Sequence, residues 1–489
     1  MLRFLLQKGM ENLKEKTAKG LLWGGIANGL QQVLNLVFGI VVAKILDPSD
    51  YGLVGMLTIF SSIAGALQEG GFISALSARK NVSHEDYNSV FWFNVLVSLS
   101  LYVLLFCLAP FIAAFFGEPE LIPLSRYLFL GFVITSFNIA PRAYLFRNLK
   151  VKENSLIILC ALFVSGCVGI VMALLGMAHW GIATQTIVYV SVITVLCYWR
   201  TGWRPSWHVS FRPVREMLGF SSKLILTSLC NIFNQNLFTV LLGRFYTKVE
   251  VGNFSQANKW NYMGHVTLTN MLWGVAQPVF SKVDDDPSRQ LAVFRKLLRF
   301  TAMIAFPAMF GLSLISHEFI VLAIGEKWVG AATIMHMLCV WGAFVPIQSN
   351  FYNLLIARGQ SGTYLWCTVS LVLTVFIAAV AMRPWGMTWM MRVFVSINIG
   401  WLFVWHWFVH RLVGLRLDDM LRDIMPYMLL AAALCLTAAW LTSGITNLWL
   451  SLALKVLGVA TAYCLVLWCS GSIIFREGLQ YLAKICLKR

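Results

Sequence analysis

The chain has 489 residues, of which 59% are hydrophobic and 12% charged, with a formal net charge of +17. An ordinary soluble domain carries about 25% charged residues, so the mean hydropathy of +0.74 excludes a soluble globular fold. The apolar residues fall in runs of about 20, the length that crosses a hydrocarbon core roughly 30 Å thick.

Residues 1–19 mix apolar and basic side chains without a cleavable signal pattern, which predicts an interfacial amphipathic N-terminus. Spans are then expected at 20–44, 52–76, 90–116, 121–145, 155–176, 179–199, 218–242, 252–279, 297–315, 330–356, 362–382, 387–410, 424–443 and 447–470. Backbone groups find no water in lipid, so such spans must be helical. The expected fold class is an all-α polytopic membrane protein with about fourteen transmembrane helices. The longest polar break, the linker 200–217, separates an N-lobe of six spans (20–199) from a C-lobe of six (218–410). A C-terminal helix pair (411–470) and a basic tail (471–489) follow.

A net charge of this size suggests nucleic acid, but its distribution argues otherwise. With Met1 inside, Lys14, Lys16, Lys19, Arg79, Lys80, Arg142, Arg147, Lys150, Arg200, Arg212, Arg295, Arg358, Arg416 and Lys488 all fall in cytoplasmic connections. The positive-inside rule accounts for this asymmetry and places both termini in the cytoplasm; no nucleic-acid partner is implied. The eleven cysteines are scattered singly without C-x-x-C spacing and read as small buried hydrophobes.

The halves look related. A shift of 200 residues brings Ala43-Lys44 and Asp50-Tyr51-Gly52 onto Gly243-Arg244 and Glu250-Val251-Gly252 without a gap. Phe116-Gly117-Glu118 matches Ile324-Gly325-Glu326 at a shift of 208. Six spans per repeat give both halves one orientation, hence a pseudo-twofold along the membrane normal.

Polar residues inside spans carry the functional signal, because each costs free energy unless it faces protein or water. Span one holds Asn28, Gln31, Gln32 and Asn35 on one helical face, with Gly24 and Gly39 beside them. Span two holds Thr58, Ser61, Ser62, Gly65, Gln68 and Glu69. Span seven holds Ser228, Asn231, Asn234, Gln235 and Thr239, and span eight Asn258, Lys259, Asn261, His265, Asn270 and Gln277. These are the first two spans of each half. Interhelical hydrogen bonds at roughly 1 kcal/mol each explain one or two such residues per helix. Four matched stripes favour a hydrated substrate cavity. A lone charge at mid-membrane costs about 3 kcal/mol, so Glu69 and Lys259 need partners or water, although Lys259 near a helix end can snorkel. Lys44 and Arg244 occupy equivalent outer positions, as a cationic rim or as anchors.

Other constellations are weaker. His406 and His410 have metal-compatible spacing, but they sit in an aromatic-belt segment and read as interfacial anchors. Asp284-Asp285-Asp286-Pro287 resembles a magnesium-diphosphate motif yet stands alone before a helix, where a cap is the simpler reading. Gly-rich phosphate loops, nucleophile elbows and H-E-x-x-H pairs are absent. No catalytic residue, metal site or cofactor is expected.

Thr17-Ala18-Lys19-Gly20-Leu21-Leu22-Trp23, the run from Ala43 through Asp47-Pro48-Ser49-Asp50-Tyr51-Gly52 to Leu53, Glu69-Gly70-Gly71-Phe72 and Asn353-Leu354-Leu355-Ile356-Ala357-Arg358-Gly359 resemble bacterial polysaccharide transporters. The likeness is to the O-antigen and colanic-acid flippase type, within the multidrug/oligosaccharidyl-lipid/polysaccharide exporter superfamily, over essentially the whole chain. It implies two six-helix lobes with spans one, two, seven and eight lining a central cavity. The activity implied is flipping of an undecaprenyl-diphosphate-linked oligosaccharide across the bacterial inner membrane by alternating access, coupled to membrane potential, H+ or Na+. Polysaccharide polymerase and glycosyltransferases would be its partners. A cation-coupled multidrug antiporter and a peptidoglycan-precursor flippase are the alternatives within that superfamily. Trp23–Ala43 contains no Asp or Glu, which disfavours the antiporter. A membrane enzyme acting on lipid-linked glycans is the alternative of another class, disfavoured by short outer connections.

Overall fold

The computed structural model describes residues 2–69, 72–73, 76, 82–148, 150–207, 210–282, 287–472, 474–477 and 480, with side chains of 2–22, Glu69, 218–224, 227, 273–279, 281–282 and 287 outside the description. The described residues form helices and no strand. In chain order they are α1 (Leu2–Ile45), α2 (Pro48–Glu69), α3 (His84–Phe116), α4 (Leu121–Leu128), α5 (Leu130–Ser136), α6 (Ile139–Arg147), α7 (Val151–Leu174), α8 (Ala178–Thr201) and α9 (Arg212–Phe245). There follow α10 (Lys248–Lys282), α11 (Pro287–Leu314), α12 (Ser316–Ile324), α13 (Val329–Gly342), α14 (Val345–Ala357), α15 (Ser361–Met382), α16 (Met387–Val413), α17 (Leu417–Thr442) and α18 (Leu448–Cys469).

Eleven stretches among the described residues are long and apolar enough to cross a membrane, or twelve counting the bent pair Leu121–Ser136 and Ile139–Arg147 as one span. The two remaining expected spans, seven and eight, are α9 and α10, helices of 34 and 35 residues. At 1.5 Å per residue both exceed the hydrocarbon thickness. The chain is therefore a multi-pass all-α membrane protein.

Local chemistry sets the helix ends. Ser83 caps α3 in a reciprocal box with Asp86, and Gly117 ends the helix at φ 75°, a left-handed conformation that a Cβ disfavours. Asn447 accepts from the amides of Trp449 and Leu450 at the start of α18. The fourth span bends by 45° after Ser136. There Thr194 of α8 donates to the Ile134 carbonyl at 3.2 Å and accepts from Asn138 at 3.1 Å, giving the interrupted backbone a partner within protein.

The chain forms two compact units, Met1–Val251 and Gly252–Arg489. In the first, α7 packs between α1 and α8, while α9 packs on α2 and α3. Gly166 permits the first contact: a Cβ there would lie 2.4 Å from Cγ of Phe38 on α1. The segment 202–207 is docked, since Trp92 donates to the Ser206 carbonyl at 2.8 Å and Ser206 N–H to Asn88 Oδ1 at 2.9 Å. Trp203, Val214 and Met217 join one apolar cluster with Phe72, Leu76, Tyr87 and Phe91. The start of α9 thus belongs to the first unit, which runs to Val251.

In the second unit α11 is the central helix, packed by α13, α17 and α18. Asp423 of α17 is 2% exposed and receives Arg295 and Arg299 of α11. Near the other end of α11, Lys455 and Ser451 of α18 both donate to Glu318 of α12. The C-terminal helix pair is thereby fastened to the second unit at two levels.

Candidate functional site: polar helices in an apolar bundle

The repeat has a local structural counterpart. Helices α1 and α9 end at Ile45 and Phe245, and α2 and α10 begin at Pro48 and Lys248, in both cases 200 residues apart. Leu46 N–H bonds the Val42 carbonyl at 3.0 Å, and Tyr246 N–H the Leu242 carbonyl at 2.8 Å. Asp50 accepts from Asp47 N–H at 3.1 Å, and Glu250 from Thr247 N–H at 2.9 Å. The second match repeats too: α3 and α12 end at Phe116 and Ile324, each followed by a positive-φ glycine, Gly117 and Gly325.

On this frame the first unit carries two polar helices. On α1, Asn28 is exposed and Gln31, Gln32 and Asn35 are half-buried. On α9, Asn231 is half-buried while Asn234 and Gln235 are exposed. Apolar neighbours Ile26, Leu30 and Val33 are also exposed, as a helix bordering lipid requires.

Gln68 departs from the expected cavity wall. It is 1% exposed and donates to the Phe132 carbonyl of α5 at 2.6 Å, so its amide ties α2 to the broken span. The Glu69 side chain lies outside the described residues, as does Asp284-Asp285-Asp286.

In the second unit, Asn258 and Lys259 of α10 are half-buried. Lys259 Nζ stands 5.5 Å from the Trp260 ring centroid, and among the described residues no carboxylate pairs with it. Asn261 and His265 point inward instead. Asn261 is wholly buried against Gly342, where a Cβ would lie 2.2 Å from Asn261 Oδ1. Neither polar atom of its amide has a partner among the described residues, an arrangement costing about 1–3 kcal/mol unless water enters. His265 is 8% exposed, its ring edge-on to Tyr262 at 5.6 Å. The eighth span therefore splits its polar residues between its unit's interior and a half-buried face.

Other charges in and beside the spans resolve into packing. Lys455 pairs with Glu318, and Arg392 stacks over Trp389 at 4.9 Å. Arg244 donates to the Phe115 carbonyl at 2.8 Å, whereas Lys44 is exposed. His406 and His410 both turn onto the Leu415 carbonyl, at 3.1 and 2.8 Å, and so satisfy the chain just past α16. Sequence reasoning missed the ion-paired seat of Lys248 on Glu118 and Glu120, at 3.2 and 3.6 Å. The gapless match around Gly52 and Gly252 was the one signal near it.

Amides, an ammonium and hydroxyls are groups that bind polar, anionic or glycan chemistry. Comparison with known proteins agrees. Residues 41–333 match the family described as polysaccharide biosynthesis protein. The lipopolysaccharide biosynthesis protein WzxC of Escherichia coli is 29% identical over 355 residues, 71% of each chain. The teichuronic acid biosynthesis protein TuaB of Bacillus subtilis is 23% identical over 434 residues, 88% of this chain and 89% of TuaB. Among solved structures, the lipid II flippase MurJ in an inward closed conformation matches at TM-score 0.73 and 16% identity, covering 94% of this chain and 100% of that one. An inward-facing multidrug resistance MATE family transporter of the MOP superfamily matches at TM-score 0.60 and 18% identity, over 82% and 95% of the two chains. At these identities the structural likeness shows the fold.

Proposed function

The chain belongs to the polysaccharide biosynthesis protein family, and from that premise we propose that it flips an undecaprenyl-diphosphate-linked oligosaccharide from the inner to the outer leaflet. The observation that carries this reading is the pairing of polar helices with apolar ones: α1 and α9 keep Asn28, Asn234 and Gln235 exposed amid apolar spans. Side-chain amides exchange donors and acceptors with sugar hydroxyls, which an acid-free first span suits better than it suits cation coupling. Lys259 supplies a point charge for a diphosphate. Moving each negative charge outward across an inside-negative membrane is favoured by about 2.3 kcal/mol per 100 mV. On the charge asymmetry, both termini are cytoplasmic and the Glu118 end faces outward.

The test is genetic and chemical. Cells lacking the chain should lose the surface polysaccharide and accumulate its lipid-linked precursor at the inner leaflet, and re-expression should reverse both. Unchanged surface polysaccharide and precursor would defeat the proposal. Reporters fused after Arg212 and Lys488 should read cytoplasmic, and one near Glu118 extracytoplasmic.

A further inference from the structure

Pro307 lies inside α11 and has no N–H to give, so the Met303 carbonyl one turn earlier loses its helical donor. Tyr463 of α18 supplies the missing bond, its buried hydroxyl donating to the Met303 carbonyl at 3.0 Å. The two helices are pinned at that level, and beside the pin they part. Ala308 and Gly311 of α11 with Ala460 and Cys464 of α18 line a groove of about 490 Å³. A Cβ at Gly311 would meet nothing within 4 Å, and the wall residues Ile304 and Val456 are exposed, so the groove opens at the surface.

Its two ends differ. One stops on Lys455, whose ammonium is already taken by Glu318, both side chains being largely buried. The other reaches Leu467 and Phe475, where cations gather. Arg476 follows Phe475 and is exposed. Its guanidinium lies over Gly471 at the end of α18, Nη2 being 3.5 Å from where a Cβ would stand. Neighbouring Glu477 is taken by Lys296 of α11 at 2.6 Å, with side chains 49% and 64% exposed. Such a pair is weak and exchanges readily for another anion. Lys296 also shares a stripe of α11 with Met303, Pro307 and Gly311, at helical spacing.

We propose that this groove seats one acyl chain of an anionic phospholipid, with the phosphate held by Arg476 and Lys296 at the mouth. The length fits. From Met303 to Ile315 the groove follows α11 for about 18 Å at 1.5 Å per residue, close to half of a hydrocarbon core roughly 30 Å thick. A chain anchored in one leaflet fills it, whereas a lipid crossing between leaflets meets the buried Lys455–Glu318 pair. An apolar wall does not discriminate among acyl chains, so selection falls to the head group. Arg offers phosphate a fork and Lys a point charge, and basic clusters beside a span attract anionic lipid in this way. On the charge asymmetry, the mouth opens to the cytoplasmic leaflet. The site does not depend on what the chain transports.

The test uses the full-length protein, purified in detergent and stripped of lipid. Phosphatidylglycerol is the probe, and phosphatidylcholine with the same acyl chains is the comparison. Native mass spectrometry should find one phosphatidylglycerol held about tenfold more tightly than phosphatidylcholine, the effect of two cations beside a head group. Arg476→Gln with Lys296→Gln should abolish that preference, while Arg212→Gln, at an exposed cation of the first unit, should leave it unchanged. Gly311→Phe should fill the groove and remove retention of both lipids. Ala460→Leu fills it more gently from α18, should weaken both, and stands in if Gly311→Phe fails to fold. A preference indifferent to the paired charge removal overturns the site, and so does retention indifferent to groove filling. Displacement of phosphatidylglycerol by an equal concentration of undecaprenyl phosphate assigns the groove to the transported lipid and overturns it as well.

Discussion

Arg295 and Asp423 meet as a fork on a carboxylate, Nε to Oδ2 at 2.7 Å and Nη2 to Oδ1 at 3.2 Å, while Arg299 Nε takes Oδ1 at 2.5 Å. Asp423 is 2% exposed, so its charge is tolerated only because two guanidinium groups meet it. Asp423→Ala should loosen α17 from α11 at a cost of about 2–3 kcal/mol. That lies below the range for fully buried pairs, since Arg299 reaches solvent. Thermal unfolding in detergent measures the loss, and Arg295→Ala should cost less, because Arg299 keeps Asp423 paired.

The Glu318–Lys455 pair makes a different prediction. Glu318 Oε1 receives Lys455 and Ser451, both partners being largely buried, and Oε2 has no partner among the described residues. Removing one charge strands the other. Glu318→Leu alone should destabilise by about 3 kcal/mol, whereas Glu318→Leu with Lys455→Met should recover most of it. If the double variant is no more stable than the single, burial does not dominate this pair.

Gly166 and Phe38 test the α1–α7 contact. With a Cβ position 2.4 Å from the Phe38 ring, Gly166→Leu should overpack the interface by about 1–3 kcal/mol. Phe38→Ala in the same chain should relieve part of that. The expected sign is a lower unfolding temperature for the single variant and a partial return for the double.

The polar helices divide into two predicted classes. Cysteine at Asn28, Gln31, Asn35, Asn234 or Gln235 should react with a small hydrophilic thiol reagent, while cysteine at Gln68 or Asn261 should not. Equal labelling of the lipid-side control Leu36→Cys would mark α1 as glue rather than cavity. For the anionic head group, Lys259→Ala should abolish export at unchanged protein level and Lys259→Arg should retain part. Normal export by Lys259→Ala would leave Lys259 as a snorkelling side chain.

Whatever depends on counting along the chain was legible in the residues alone. Span number and helical class follow from lengths of apolar runs, because lipid offers no backbone partner. The repeat was legible at Asp50-Tyr51-Gly52, because helix-end chemistry is local: Asp50 and Glu250 cap turns within three residues. Tertiary structure decided which polar side chains are spent on packing. Gln68 and Gln31 look alike in sequence, yet Gln68 meets the Phe132 carbonyl 64 residues away and Gln31 stays half-buried. Asn261 and Asn258 differ only by which side of α10 they occupy, and Gly342 takes one of them into the interior. Lys455, on an apolar helix, finds its carboxylate in Glu318, 137 residues earlier. Such pairings carry no local signal, since the free energy that selects them arises only when distant helices exclude lipid and water together.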